Sequence, residues 1–263
     1  MENIDKTKSK KRRAMTSSAA RNVRQHGYDD ALEFARAIGL ASDYKNNPQA
    51  KKDVVDPAGD THSVKSGNKK WQIFLYSYNR FETDEFFKLM NGIGDLFKEC
   101  LDVFPHDFGQ YQSDKMLIKQ KLRSPMVRLA EKLKDSLRLR AFLNKSIFNG
   151  GEVDYLTVKD NELFHVFLNN DVNRVMVESL EICNSRAILA GQTPELKVLF
   201  RYDGVNLGEI EVRTDSIIHY REIKFSVSKP KIMKLLYEKI PLVKKFNERV
   251  LVYGNAAKKF GRW

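Results

Sequence analysis

The sequence predicts an α+β protein: a central mixed sheet flanked by helices, with a strand-rich elaboration towards its C-terminal end. Three observations predict it. Apolar residues recur at helical spacing in Tyr28–Leu40, Thr83–Phe104 and Asp114–Phe148. Short β-like runs separated by Pro/Gly and Gly/Asn turns occupy Asp53 to Ser77. A second cluster of strand-like runs follows Gly150-Gly151.

At 263 residues, with 42% hydrophobic and 11% aromatic residues, the chain has enough apolar surface for a real core. A basic arm over residues 1–26, a core over 27–150 and a strand-rich half over 151–263 packed with that core is the organisation expected. Lys and Arg number 46 against 34 Asp and Glu, a net charge of +12, which favours polyanionic partners and makes nucleic acid the first candidate. Only Cys100 and Cys183 are present, without CxxC or zinc-ligand spacing, so both read as free thiols. No apolar run reaches membrane-spanning length and the N-terminus lacks a signal-peptide core, so a cytoplasmic location is expected.

Taken in order, Lys6 to Arg24 reads as a flexible basic arm suited to a phosphate backbone. Tyr28, Ala31, Leu32, Ala35 and Ile38 then form a helical stripe, bracketed by Gly27 and Gly39, with Glu33 off the stripe. Asp53–Asp56, Thr61–Ser66 and Lys70–Ser77 read as an antiparallel meander. Alternation puts Thr61, Ser63 and Lys65 on one face of the second strand, and Gln72, Phe74 and Tyr76 on one face of the third. Thr83–Phe104 reads as a helix interrupted near Gly92 and Gly94, and Asp114–Phe148 as a basic helical stretch broken near Pro125. Strands at Val153–Val158 and Phe164–Leu168 precede a helix from Asp171 to about Ile182. Glu195–Tyr202, an Asp203-Gly204 hairpin turn, Leu207–Arg213 and Tyr220–Val227 supply further strands, and a helix over Lys229–Ile240 follows.

The chemistry suggested by the first strand cluster is phosphodiester hydrolysis. It needs a divalent cation on hard oxygen ligands and a positive group near the attacked phosphate. Asp53 at a strand start and Lys65 on the neighbouring strand can be brought together by the tight turn between them. The runs Lys52-Asp53-Val-Val-Asp56, His62-Ser63-Val64-Lys65-Ser66-Gly67 and Lys69-Lys70-Trp71-Gln72-Ile73-Phe74-Leu75-Tyr76 resemble the PD-(D/E)xK nucleases and, within them, type II restriction endonucleases.

The resemblance implies that core fold, Mg2+ as cofactor, Asp53 as metal-binding carboxylate, Lys65 as catalytic lysine and Gln72 as a positioning residue. Glu33 would be a helix carboxylate beside the metal. Ser63 departs from the family pattern, which has Asp or Glu there. Glu33, Asp56 and Asp60 are the candidates to replace it, Glu33 first. Gln72 and Tyr76 after the lysine also resemble RecB-like members, which makes an exonuclease or repair nuclease an alternative. A DNA-binding protein that keeps the fold without catalysis is another.

A rival set lies downstream. Asp215, Glu222 and Lys224 match the literal Asp…Glu-x-Lys spacing, and Glu222 and Lys224 share a strand face. The segment Leu207–Phe225 resembles a stretch that accompanies a separate upstream core in some restriction enzymes, so it reads first as DNA-facing. Arg213, His219 and Arg221 are its candidate DNA contacts, together with Lys69 and Lys70 upstream. The reading implied is a type II enzyme making double-strand cuts in DNA and leaving 5′-phosphates. A homodimer and a cognate DNA methyltransferase as genetic partner go with it.

Overall fold

A computed structural model of the chain describes residues 17–41, 53–185 and 196–263. Two sheets flanked by helices make up a mixed α/β structure. The first sheet is mixed, in the order β1(Val54–Val55), β2(Thr61–Lys65), β4(Tyr155–Asp160), β5(Leu163–Leu168), β11(Val250–Tyr253) and β10(Leu242–Asn247). β2 runs parallel to β4 and β5 parallel to β11, while β1–β2, β4–β5 and β10–β11 are antiparallel. The second is antiparallel, in the order β3(Lys70–Ser77), β9(Glu222–Ser228), β8(Val205–Arg213), β7(Val198–Tyr202) and β6(Glu181–Asn184). Each sheet takes strands from both sides of residue 150.

The helix at the start of the described chain, α1(Ser17–Ala37), covers one face of the first sheet. Ala31, Phe34, Ala35 and Ile38 bury their side chains against Val64, Tyr155, Phe164 and Val252. Its stripe follows the apolar spacing, but it begins before Gly27, so Ser17–Arg24 of the expected flexible arm is helical; residues 1–16 lie outside the described residues. The helix ends where Gly39 takes φ +85, a left-handed conformation open to glycine.

The main core lies between the two sheets and the helices α2(Tyr78–Thr83), α3(Glu85–Leu89), α4(Ile93–Asp102), α5(Phe108–Ser113), α6(Lys115–Leu133), α7(Ser136–Phe148), α8(Asn169–Ser179) and α9(Lys229–Lys239). Phe74, Phe81, Phe87, Phe97, Phe142 and Phe225 form its aromatic centre, largely in tilted or edge-on contact. The Phe-rich segment is thus core, divided into three helices. The break in the basic stretch falls at Lys134–Asp135, where the Asp135 side chain caps α7 by accepting from Arg138 N, and Pro125 is carried inside α6.

Gly94 is the tightest helix contact. A Cβ there would lie 2.6 Å from the Phe87 carbonyl oxygen and 3.0 Å from its carbon. Backbone cannot swing aside, so Gly94→Ala should cost about 1–3 kcal/mol of stability. Urea denaturation of the variant checks this, and an unchanged midpoint would refute the contact.

Two expectations for the strands are corrected. β3 does not complete a meander with β1 and β2. It crosses to the second sheet, beside β9, with the Trp71 indole N–H donating to the Ser66 carbonyl at 2.7 Å across the connection. A bulge between Gln72 and Phe74 then breaks the expected shared face, so Trp71 and Phe74 are buried while Gln72 is exposed. Strands β10 and β11 and the 3-10 turn over Gly254–Lys258 were not expected from the sequence.

Candidate active site

β2 outruns β1 by several residues, which would leave the Val64 N–H without a strand partner. The Asp53 carboxylate fills that place. Its Oδ2 accepts from Val64 N at 2.8 Å and from Ser63 Oγ at 3.4 Å, while its own N–H donates to the His62 carbonyl. Pairing of Val54 with His62 sets Asp53 opposite Ser63, so alternation places Asp53, Thr61, Ser63 and Lys65 on one face. His62 and Val64 point the other way, towards α1, with the His62 ring 4.9 Å from that of Phe34.

A residue that sequence reasoning missed joins this face. Asp154, just before β4, accepts from Thr61 N and from Thr61 Oγ1, both at 2.9 Å. The main-chain anchors of the Asp53 and Asp154 carboxylates, Val64 N and Thr61 N, are three residues apart along β2, roughly 10 Å. In each, Oδ1 has no hydrogen-bond partner among the described residues. Lys65 is half-buried, and its ammonium has no hydrogen bond or ion pair among the described residues. That sets it apart from Lys145, Lys159, Lys224 and Lys229, each of which meets a carboxylate. The signal in the sequence was an Asp opening the run Tyr155–Val158, but its pairing with β2 is parallel and distant in the chain.

The carboxylates expected to replace the one missing at Ser63 are otherwise engaged. Glu33 lies on the opposite face of the sheet, held by Lys159 at 2.5 Å and by Arg249. Burial raises its pKa, and the two cations outweigh that and hold it below the usual carboxylate value. Asp56 accepts from Ala58 N and Asp60 N, each at 2.9 Å, and meets His62 Nε2 at 3.4 Å on the same far face. Asp60 is bound by Tyr155 OH at 3.1 Å and Lys259 at 2.5 Å. Gln72, exposed on β3, belongs to the second sheet and is not in the sheet that carries Lys65.

The downstream set is brought together only in part, and each member already has a side-chain partner. Asp215 pairs bidentately with Arg213 at 2.6 and 2.9 Å, Glu222 accepts from His219 Nδ1 at 2.8 Å, and Lys224 donates to Glu211 at 2.8 Å. Lys224 is one rung of a ladder, Lys70–Glu209–Lys197–Glu211–Lys224, along the face of the second sheet away from the aromatic core. Burial raises the Glu211 pKa, and Lys224 and Lys197 bring it below normal. Arg221, at φ +60, donates to the Leu101 carbonyl at 3.3 Å and meets His106 at 2.6 Å, which ties its loop to α4. Lys69 is exposed, and its side chain has no partner among the described residues.

Among the described residues no group of three or more His, Cys, Asp or Glu side chains is placed to hold a metal ion. Mg2+ keeps several waters and takes substrate phosphate oxygens beside as few as one or two protein carboxylates, so a smaller donor set than that would serve it. Cys100 is buried, and burial pushes its thiol well above the usual range; Cys183 is half-buried. Neither lies in this cluster. Among the described residues no helix is long and apolar enough to cross a membrane. No protein-family model, no curated protein and no solved structure matches the chain.

Proposed function

We propose that the chain is a Mg2+-dependent endonuclease of the PD-(D/E)xK type that cuts double-stranded DNA at a specific sequence, as type II restriction enzymes do. One observation carries this reading: Asp53 and Lys65 share a face of the β1–β2 hairpin, and both keep a polar end without a protein partner among the described residues. An ammonium and a carboxylate oxygen left open on one face suit a site that receives a metal ion and a phosphate.

Asp53 would hold the ion, and Asp154 would reach it through a coordinated water, in the place first given to Glu33. A bound Mg2+ supplies a Lewis acid for the phosphodiester and lowers the pKa of water. Ser63 holds the Asp53 carboxylate in place through its hydroxyl. Lys65 places its ammonium where the negative charge of the attacked phosphate grows. The net charge of +12 favours DNA as the polyanion. Cutting both strands of a palindrome calls for two such sites, hence a homodimer, with a DNA methyltransferase protecting the host's own sites. The RecB-like alternative drew on Gln72 and Tyr76; Gln72 is in the other sheet and Tyr76 stacks on Phe74 at 4.6 Å, which leaves it without support from the site.

The test is incubation of a supercoiled plasmid with the protein and Mg2+, followed by sequencing of the fragment ends. Discrete ends at a common motif are expected, and circles left intact would overturn the reading. Asp154→Asn should lower the cleavage rate by about 10²-fold while DNA binding in EDTA persists. An unchanged rate would remove Asp154 from the site.

A further inference from the structure

The loop between β8 and β9, residues 214–221, is pinned at its base and along one side. The Arg221 N–H donates to the Arg213 carbonyl at 3.2 Å and closes the base, and the Arg213 guanidinium grips Asp215. Towards α4 and α5, the Tyr220 ring packs on Phe108 at 5.1 Å and on Tyr111 at 5.5 Å, and its hydroxyl donates to the Pro105 carbonyl at 2.9 Å. What the loop turns to solvent is aliphatic. Ile217 is 72% exposed and Ile218 80%, the largest exposure of any large apolar side chain among the described residues. Single exposed apolar residues are ordinary on a protein surface, but two in succession on a loop fixed at its base are a projection held out from the body.

A counterpart lies beside it. A recess of about 540 Å³ opens between the loop and the first residues of α2 and α5, with Tyr78, Phe108 and Tyr220 as aromatic walls. Ile217 is part of its lining, so the projection and the recess form one continuous patch. A projection and a recess side by side are what a two-fold interface requires. A second copy turned by 180° about an axis between them seats each projection in the other's recess, and both contacts form at once.

The charge of the patch narrows the partner. Asp102, Asp107, Asp215 and Glu222 stand there against Arg213 and Arg221, and neither the loop nor the recess lining contains a lysine, although the chain as a whole carries +12. An excess of carboxylates disfavours a nucleic-acid backbone or an anionic membrane. Two copies of a basic chain, by contrast, can approach here without bringing their lysines together. The charges also have partners within the chain: Asp215 with Arg213, Glu222 with His219, Asp102 with Arg221, and Asp107 with the Gln110 N–H that it caps. Covering the patch therefore strands none of these carboxylates.

We propose that this patch is the interface between two copies of the chain, an isologous contact in which Ile217 and Ile218 of each copy pack against Tyr78 and Phe108 of the other. It uses none of the groups at Asp53 and Lys65, and it gives the homodimer a surface.

Sedimentation equilibrium of the full chain over a concentration series tests it. The wild type should dimerise. Ile217→Asp/Ile218→Asp should raise the dissociation constant by at least about 10²-fold, because charge is placed at the centre of an apolar contact. Its circular dichroism spectrum should be unchanged, since both side chains are exposed. Asn79→Trp, which fills the recess from an exposed position, should weaken the dimer in the same way. Mixed, the two variants offer one intact projection to one intact recess, and a heterodimer tighter than either variant's own dimer is expected. A mixture that associates no better than its components overturns the isologous contact. A wild type that stays monomeric throughout the series overturns the interface, and plasmid cleavage by that monomer would leave the nuclease chemistry standing. An Ile217→Asp/Ile218→Asp variant that dimerises as the wild type does also overturns it; if that variant has lost duplex binding in EDTA, the two isoleucines are a wedge for DNA instead.

Discussion

Replacement of Lys65 by alanine should abolish plasmid cleavage, with a loss of at least about 10²–10³-fold in rate, while binding of duplex DNA in EDTA stays within a few-fold of wild type. The size follows from what is lost. A single donor aimed at the charge that develops in a transition state contributes several kcal/mol when water is largely excluded, and Lys65 is half-buried with no ion pair among the described residues to divert it. Two companion variants make the result specific. Lys224→Ala removes the lysine of the rival set, but that ammonium is committed to Glu211 at 2.8 Å, so the rate should hold. Glu33→Ala removes the first candidate for the missing carboxylate, and its effect should fall on stability, roughly 1–2 kcal/mol, because Lys159 and Arg249 lose their shared anion. Cleavage by Lys65→Ala at the wild-type rate would sink the assignment, and a dead Lys224→Ala enzyme would move the active site to the second sheet.

The placement of Asp53, Ser63 and Lys65 on one face was legible because its information is local. Asp53, Ser63 and Lys65 come together through a hairpin of a dozen residues, whose turn is written in Pro57, Gly59 and the Asp56 side chain. The Asp203-Gly204 turn and the apolar stripe of α1 were readable for the same reason: both depend on neighbours in sequence. What could not be read is which surfaces meet over long separations. Glu33 sits off the stripe of α1, but nothing in the helix tells which face of the sheet it will cover, and it covers the one away from Lys65. Asp154 reaches the site only through the parallel pairing of β4 with β2, 93 residues from Thr61. β3 leaves for the second sheet at a Gly67 turn that would serve a meander equally well. β10, Leu242 to Asn247, is an edge strand with no buried residue, so it lacks the alternation that marks a half-buried strand.

The hairpin that presents Asp53 and Lys65 is held from behind by a buried polar network, and breaking it should have the largest effect on stability. His62 and Asp56 have side chains with 0% exposure, and Nε2 of the imidazole meets Asp56 Oδ2 at 3.4 Å while Nδ1 meets Thr157 Oγ1 at 2.8 Å. Burial lowers the His62 pKa, and Asp56, Asp60 and Asp154 oppose that only in part, so the ring is neutral. A neutral ring with its proton on Nε2 donates to Asp56 and accepts from Thr157, which satisfies all three groups. Asp56→Ala removes that acceptor and also strands the N–H groups of Ala58 and Asp60 that form the turn. A loss of about 3–5 kcal/mol is expected at pH 7.5, read as a shift of the urea midpoint. The pH dependence has a definite sign. An imidazole with a depressed folded pKa takes up its proton more readily in the unfolded chain, so wild-type stability is complete above about pH 6.5 and falls as the pH drops towards the folded value. His62→Gln should lessen the decline below pH 6.5, leaving the share of His165, whose pKa burial also lowers, in a window above the range in which Glu33 and Asp84, both lowered, are protonated. If the decline persists unchanged in His62→Gln, the proton uptake belongs to another group and the neutral network behind the hairpin is refuted.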